Sequence, residues 1–228
     1  MGQIFLVRHG QASFNATNYD QLSLLGIEQA LLLGQWFNSC GMRFDRIVSG
    51  TMQRHRDTAR TCLAVLNPAV TAIDDADFNE YDHKDVLLRH VPEGGAALRA
   101  RKDRTDGVEL SFRALFQLAM QRWIGGEHDD YRESWTTFRD RCIGAVERLA
   151  AQAQADEHCL IFTSGGPIAA ICCALLQAPD RSVPTLAWEL ANSSITRVRF
   201  RAGRIAFSAL NATPHLDRAG RPELITYR

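Results

Sequence analysis

Short apolar runs alternate with amphipathic segments along most of this 228-residue chain. The apolar run at residues 4–7 predicts a buried strand, and apolar positions at helical spacing over 24–38 predict a helix that Ser23 caps. A second β-type run follows at 45–49 and a second helical pattern at 53–66. Because strand and helix patterns alternate, the sequence predicts a mostly parallel sheet covered by helices.

The rest of the chain continues this alternation, except in one segment. The sequence further predicts a third strand at 69–73, a long helix at 135–152, a buried strand at 159–163 and an antiparallel pair of strands at 194–200 and 204–210. Between them, residues 85–130 are charged and glycine-containing around a helical stretch, which predicts a helical insertion over the active-site end of the sheet. We therefore expect an α/β fold, a three-layer sandwich with helices on both faces of the sheet, in one domain spanning residues 1–228.

The composition of the chain argues against several classes of binding partner. Lysine and arginine (26) balance aspartate and glutamate (26), so overall charge gives no reason to expect nucleic acid or an anionic membrane. No apolar stretch reaches the roughly 18 residues that span a bilayer, and we expect a cytoplasmic protein. Six cysteines without CxxC spacing favour buried free thiols over disulfides or a metal site. No heptad pattern predicts the assembly, and a homodimer is left open.

The first candidate site lies where the first strand ends, at Arg8, His9 and Gly10. Loops after parallel strands are where α/β proteins place their chemistry. A guanidinium beside an imidazole disfavours a second positive charge and keeps the histidine neutral and nucleophilic. This combination suits attack on a phosphoryl group, although a solvated strand-end pair explains these three residues equally well.

Three more segments follow other predicted elements. Arg54 is at the start of the second helix, where an arginine and the helix dipole favour an anion. Glu80 follows the third strand, where it could protonate a leaving group if burial raised its pKa. Ser164, Gly165 and Gly166 precede a helix whose first amides form a small anion-binding nest. Taken alone, the arginine is better explained as a helix-surface residue and the glutamate as a loop residue.

With these segments in this order, the sequence resembles the histidine phosphatase superfamily over nearly its whole length. That superfamily has the phosphoglycerate mutase-like fold. A lone Arg-His-Gly would be weak support, but an ordered set is specific. The segments that carry the resemblance are residues 6–11 and 22–30, Arg54 with Thr58 and Ala59, Glu80, Glu133 and Ser134, residues 138–141, and residues 192–196.

The resemblance implies a mechanism that needs no metal or cofactor. His9 would attack the phosphoryl group in line and form a phosphohistidine that water hydrolyses. Arg8 and Arg54 would hold the phosphoryl oxygens. Glu80 would donate a proton to the leaving alcohol and then act as base for the water. The carbonyl of Gly10 would accept a hydrogen bond from the other ring nitrogen of His9.

Two positions bear on how the site would bind its substrate and the phosphate. Asn15 falls in a segment similar to the family's substrate loop and is a candidate binding residue. Ser164 stands where the resemblance implies a second phosphate-binding histidine, and losing such a contact costs about 3 to 4 kcal/mol of transition-state stabilisation. The Gly165 amide and its neighbour could compensate, or another histidine could enter. His83 is the best placed in sequence, although a solvated loop residue is the favoured interpretation for it, and His55 is predicted to point away.

The leading hypothesis is a metal-independent phosphatase, a phosphoric monoester hydrolase acting on a small phosphorylated substrate through a phosphohistidine at His9. The alternative is a protein that binds phosphate or a phosphorylated ligand, or a weakened pseudo-phosphatase, because Ser164 cannot carry the charge of an imidazolium. Phosphoglycerate mutase is a less favoured function, since no second phosphate site can be recognised. The sequence of the insertion provides no rule for the physiological substrate.

Overall fold

The structure, a computed structural model, describes four stretches of the chain: residues 1–13, 20–91, 112–202 and 204–227. Its contacts divide into two compact units. The first unit combines Met1–Glu80 with Arg141–Arg228, and the second is Tyr81–Asp140.

The first unit is built on one sheet. Its strands are β1 (Gly2–Arg8), β2 (Arg46–Ser49), β3 (Ile73–Asp74), β4 (His158–Thr163), β5 (Ile195–Arg201) and β6 (Arg204–Ala212). They lie in the order β3-β2-β4-β1-β5-β6. Strands β1 to β4 pair in parallel, whereas β5 and β6 are antiparallel. The predicted mostly parallel sheet with a late antiparallel pair is confirmed.

Helices account for most of the remaining described chain. They are α1 (Leu24–Ser39), α2 (Gln53–Leu66), α3 (His83–His90), α4 (Phe112–Gly125), α5 (Trp135–Gln152), α6 (Gly165–Leu175), α7 (Val183–Glu189) and α8 (Pro214–Ala219). Ser23 caps α1 by accepting the Gly26 amide, as the sequence predicts. None of the helices in the described ranges has both the length and the apolar character to cross a membrane.

The sheet of the first unit has helices on both faces. Phe5 and Val7 of β1, with Leu160 and Phe162 of β4, join one buried cluster with side chains of α1 and α2. Their neighbours along each strand point to the opposite face because side chains alternate. On that face, α6 contacts β1 and β6. The predicted α/β architecture with helices on both sides is thus confirmed.

Two local predictions differ from the structure. The strand predicted at 69–73 is reduced to Ile73–Asp74, at the edge of the sheet. Val70 and Ile73 are exposed, and of this run Ala72 alone packs against the buried cluster. The short helices α7 and α8 were not predicted, because each has only about two turns and so shows too little helical periodicity.

The second unit contains α3, α4 and the first residues of α5. Its centre is an aromatic cluster in which Trp123 packs against Tyr81 and Phe138, with ring centroids 4.9 and 5.5 Å away. Residues 112–130 of the predicted insertion belong to this unit, and residues 92–111 lie outside the described part of the chain. The single-domain organisation and the position of the insertion over the active-site end stay predictions.

The cysteines are free thiols. All but the exposed Cys40 are buried, as the sequence predicts. Burial raises the pKa of Cys159 to about 11 and that of Cys172 to about 12. These thiols are therefore protonated core side chains at neutral pH.

Candidate active site

The register of the sheet brings two of the predicted segments together. Arg8, at the end of β1, lies directly opposite Thr163, at the end of the parallel strand β4. The His9 amide continues the ladder by donating to the Thr163 carbonyl at 2.8 Å. His9 and Ser164 therefore leave the sheet side by side. Gly50, which follows β2, also donates its amide to the backbone of β4.

His9 is oriented by hydrogen bonds on both its ring and its backbone. Its Nδ1 lies 2.7 Å from the carbonyl oxygen of Gly10, the contact that the resemblance implies. Because a carbonyl only accepts, Nδ1 carries the proton and Nε2 keeps its lone pair. The His9 carbonyl accepts hydrogen bonds from the Ser193 amide and from Nδ2 of Asn192, each at 3.2 Å. The ring is buried and its nucleophilic nitrogen is defined.

The surroundings of His9 keep its ring neutral. Burial is the largest cause that lowers its pKa well below the usual value, followed by the charges of Arg54 and Arg8 and then by His55. The hydrogen bond to Gly10 opposes this shift only in part. At physiological pH the side chain is therefore a neutral imidazole with a free lone pair on Nε2, as nucleophilic catalysis requires.

Gly10 and Gly26 allow the histidine loop and α1 to approach each other closely. A Cβ atom at Gly10 would lie 2.4 Å from the Gly26 carbonyl oxygen, and one at Gly26 would lie 2.1 Å from that of Gln11. The Gly10 amide also donates to Oγ1 of Thr58 on α2 at 3.0 Å. Any side chain at either glycine would push the loop away from its two helices.

Arg54 is buried at the start of α2 and has two different neighbours. Its Nη1 forms an ion pair with Asp20 at 2.6 Å. Its Nη2 donates to Oγ of Ser164 at 3.5 Å. Asp20 also accepts the Gln53 amide at 2.8 Å, so an internal carboxylate occupies the anion-favouring end of this helix. The arm of Arg54 near Ser164 is the one that faces the candidate phosphate site.

Arg8 is buried and its guanidinium contacts a distant part of the chain. Nη1 donates to the Leu190 carbonyl, and both terminal nitrogens approach the Tyr227 carbonyl at 3.4 and 3.5 Å. Its charge lowers the pKa of His9. Arg8 thus fastens the end of β1 to the late segments and contributes positive potential to the site.

Glu80 is bound to the start of α6. Its Oε2 accepts the amide hydrogen of Gly166 at 3.0 Å. The nest predicted for a phosphate therefore gives one of its amides to this carboxylate. Before Glu80, the carbonyls of Asp77 and Asn79 both accept from Nη1 of Arg141 at 2.8 Å. This double contact fixes the backbone that carries the carboxylate, and it was not predicted from the sequence.

The prediction that His55 points away is wrong. The side chain is fully buried, its Nε2 lies 2.6 Å from Oγ of Ser164, and its ring centroid is 5.7 Å from that of His9. The space for it exists because Gly50 has no side chain, since a Cβ there would lie 2.2 Å from Nδ1 of His55. Both successive residues at the start of α2 therefore reach Ser164.

Two other candidates stay predictions. Asn15 lies outside the described residues. His83 is half-buried and begins α3 in the second unit. Within residues 1–13, 20–91, 112–202 and 204–227, no three His, Cys, Asp or Glu side chains form a group suited to holding a metal ion.

The fold agrees with a family comparison. The model of the histidine phosphatase superfamily (branch 1) matches residues 4–213. The chain therefore belongs to the histidine phosphatase superfamily. Family membership agrees with the resemblance drawn from the sequence motifs.

Individual relatives include both mutases and phosphatases. A 2,3-bisphosphoglycerate-dependent phosphoglycerate mutase of Chelativorans sp. (strain BNC1) is 35% identical over 92 residues, which are 37% of this chain and 45% of that protein. The aligned part thus spans less than half of the mutase. A mutant of Entamoeba histolytica phosphoserine phosphatase, solved with phosphoserine, is 18% identical, with a TM-score of 0.65 over 95% of this chain and 100% of the other. A mycobacterial glucosyl-3-phosphoglycerate phosphatase, solved with VO3, is 24% identical, with a TM-score of 0.61 over 92% and 98%.

The buried histidines predict how stability depends on pH. Burial lowers the pKa of His215 to about 3, and the pKa values of His9 and His55 are also well below the usual value. The unfolded chain therefore binds more protons than the folded one below about pH 6.5. We expect the free energy of unfolding to fall as the pH falls from about 6.5 to 5, with His215 contributing up to about 1.4 kcal/mol per pH unit and His9 and His55 contributing in the same direction. Urea unfolding at a series of pH values measures this slope.

The variant His215→Gln provides the comparison for that measurement. It removes one buried imidazole outside the phosphate site, so its slope between the same pH values should be smaller by the share of one histidine. A wild-type stability that is constant over this range would contradict the assignment of neutral buried imidazoles.

Proposed function

We propose that this protein is a metal-independent phosphatase that hydrolyses small phosphomonoesters through a phosphohistidine at His9. The observation that carries the proposal is the hydrogen bond from Nδ1 of His9 to Gly10, which leaves an unprotonated Nε2. Arg54 and Ser164 lie in the same buried site. A neutral nucleophile near a fixed cation suits attack on an anionic phosphoryl group.

The proposed reaction has two steps. In the first, Nε2 of His9 bonds to phosphorus while the bond to the leaving alkoxide breaks, and Glu80 donates its proton to that oxygen. In the second, water attacks phosphorus, the phosphorus–nitrogen bond breaks, and Glu80 takes the proton of the water. Inorganic phosphate leaves and His9 returns to its starting state.

Local positive charge supports this reaction in a chain with no net charge. Arg54 approaches Ser164 through Nη2, and Arg8 lies near His9 with its charge felt at the ring. The Gly165 amide, at the start of α6, is proposed as a further donor to the phosphoryl oxygens. Fixed donors of this kind stabilise a phosphoryl transition state without reorganisation.

The substrate class is proposed from the positive charge of the site and from the small size of the ligands seen in structural relatives. Two structural relatives were solved with phosphoserine and with VO3, which are small oxyanions or carry one. For this chain we propose a small phosphorylated substrate, with Asn15 and His83 as further binding residues. A mutase would also need to retain a bisphosphate, and no second phosphate site can be recognised in the sequence. Cytoplasmic location and dimerisation stay predictions.

The test is phosphate release from p-nitrophenyl phosphate at mildly acidic pH. We expect turnover that excess EDTA leaves unchanged and that vanadate inhibits, because vanadate mimics the phosphoryl group in transfer. Phosphate binding without turnover would overturn the proposal in favour of a phospho-ligand-binding protein. Turnover that depends on an added metal ion would overturn the mechanism.

A further inference from the structure

The hydroxyl group of Ser164 is enclosed by two nitrogen groups from the start of α2. Oγ lies 2.6 Å from Nε2 of His55 and 3.5 Å from Nη2 of Arg54. The residue is fully buried and is the N-cap of α6, yet its side chain makes no capping hydrogen bond to that helix. The side chain of Ser164 therefore does not accept a backbone amide of the helix, as that of an N-cap serine usually does.

The proton of Ser164 has only two possible directions, and His55 decides between them. Arginine only donates, so Arg54 uses a lone pair of Oγ. If Nε2 of His55 accepts, the serine proton points at the histidine. If Nε2 donates, both neighbours use lone pairs and the serine proton is available to a third acceptor.

The other nitrogen of His55 shows which case holds. Nδ1 is buried, has no hydrogen-bond partner among the residues that the structure describes, and lies against the backbone of Gly50. Burial, and then the charge of Arg54, lowers the pKa of this histidine well below the usual value, so the ring has a single proton. An orphaned buried N–H is rarer than an unused lone pair. The proton of His55 therefore belongs on Nε2.

We propose that His55 is a positioning residue that donates a hydrogen bond from Nε2 to Ser164, so that the Ser164 hydroxyl donates its own proton to a phosphoryl oxygen bound beside His9. The inference rests on the proposed function, since it assigns the oxyanion as the acceptor. It turns a serine, which alone rotates freely, into a donor with one fixed direction. The donor is neutral at each step, unlike an imidazolium.

The tautomer is measured directly on the wild-type protein. Long-range proton–nitrogen correlation spectra of histidine-labelled protein distinguish protonated from unprotonated ring nitrogens, and the His55→Gln variant assigns the signals. We expect Nε2 protonated and Nδ1 unprotonated at neutral pH, with and without inorganic phosphate. A proton on Nδ1 overturns the proposal whatever the activity of the protein.

Three substitutions of His55 test its effect on phosphate. His55→Gln places an amide donor where Nε2 lies, His55→Asn is the matched control whose shorter amide reaches only the position of Nδ1, and His55→Leu has no donor. By calorimetry with inorganic phosphate, we expect the glutamine variant to bind within about twofold of wild type, and the asparagine and leucine variants to bind about tenfold more weakly.

The pair with Ser164 separates positioning from general structural damage. If His55 acts through the hydroxyl, His55→Leu should cause no further loss of phosphate affinity in a Ser164→Ala background. Losses that simply add would overturn the proposal. If the leucine variant does not fold, the comparison of Gln with Asn decides. If wild type binds no phosphate, the proposed function fails, and the tautomer still decides the direction of the Ser164 proton.

Discussion

Replacing His9 by alanine is expected to lower kcat for phosphomonoester hydrolysis by roughly 10⁴-fold or more. The variant lacks the Nε2 lone pair that the Gly10 hydrogen bond defines in wild type. Phosphate binding should persist, because Arg54 and Ser164 are unchanged. A quenched-flow experiment with a ³²P-labelled phosphomonoester checks this. Wild type should form a phosphohistidine, recognised because its label is lost in acid, and the variant should form none.

His158→Ala is the matched control for this prediction. His158 is half-buried at the opposite end of β4 from Thr163, so its loss removes an imidazole without touching the site. It should turn over as wild type does. Labelled phosphohistidine that survives in His9→Ala would assign the nucleophile to a different histidine.

Glu80→Gln is expected to affect substrates according to their leaving groups. Glutamine keeps an oxygen for the Gly166 amide but cannot transfer a proton. For an alkyl phosphate, kcat should fall by roughly 10²- to 10⁴-fold, because the leaving alkoxide needs that proton. For p-nitrophenyl phosphate the loss should be much smaller. The slope of log kcat against the pKa of the leaving group measures the difference.

Glu157→Gln serves as the control for this series. Glu157 pairs with Arg46 near the start of β4, far along the strand from the site, and its substitution should leave the slope at the wild-type value. An equal loss of kcat for all leaving groups in Glu80→Gln would mean that Glu80 orients the start of α6 and does not transfer protons.

The sequence predicts the sheet and the position of His9 because both follow from local rules. A buried run ends at Arg8, parallel strands end together, and the register with Thr163 then places His9 beside Ser164. The start of α2 was predicted to within its first residue, since its helical periodicity is strong. The features that depend on local sequence patterns could therefore be predicted.

His55 could not be assigned in this way, because neighbours on a helix point about 100° apart and only one of them was expected to face the site. Its inward position depends on Gly50, which makes room from another element. The use of the Gly166 amide by Glu80 is likewise a contact between residues distant in sequence. The one signal in the sequence was Gly50, a glycine next to a strand end. Helical periodicity alone does not show that this glycine makes room for His55.

The contacts of Arg8 also have a consequence for the order of events during synthesis. Its guanidinium is held by the carbonyl of Tyr227, which follows 219 positions later. At usual elongation rates the two residues leave the ribosome roughly 10 to 40 s apart. During that interval the Arg8 guanidinium lacks its contact with Tyr227, and until residue 190 has been synthesised it also lacks the contact with the Leu190 carbonyl. The nascent chain therefore completes the contacts of Arg8, beside His9, only after residue 227 has been synthesised.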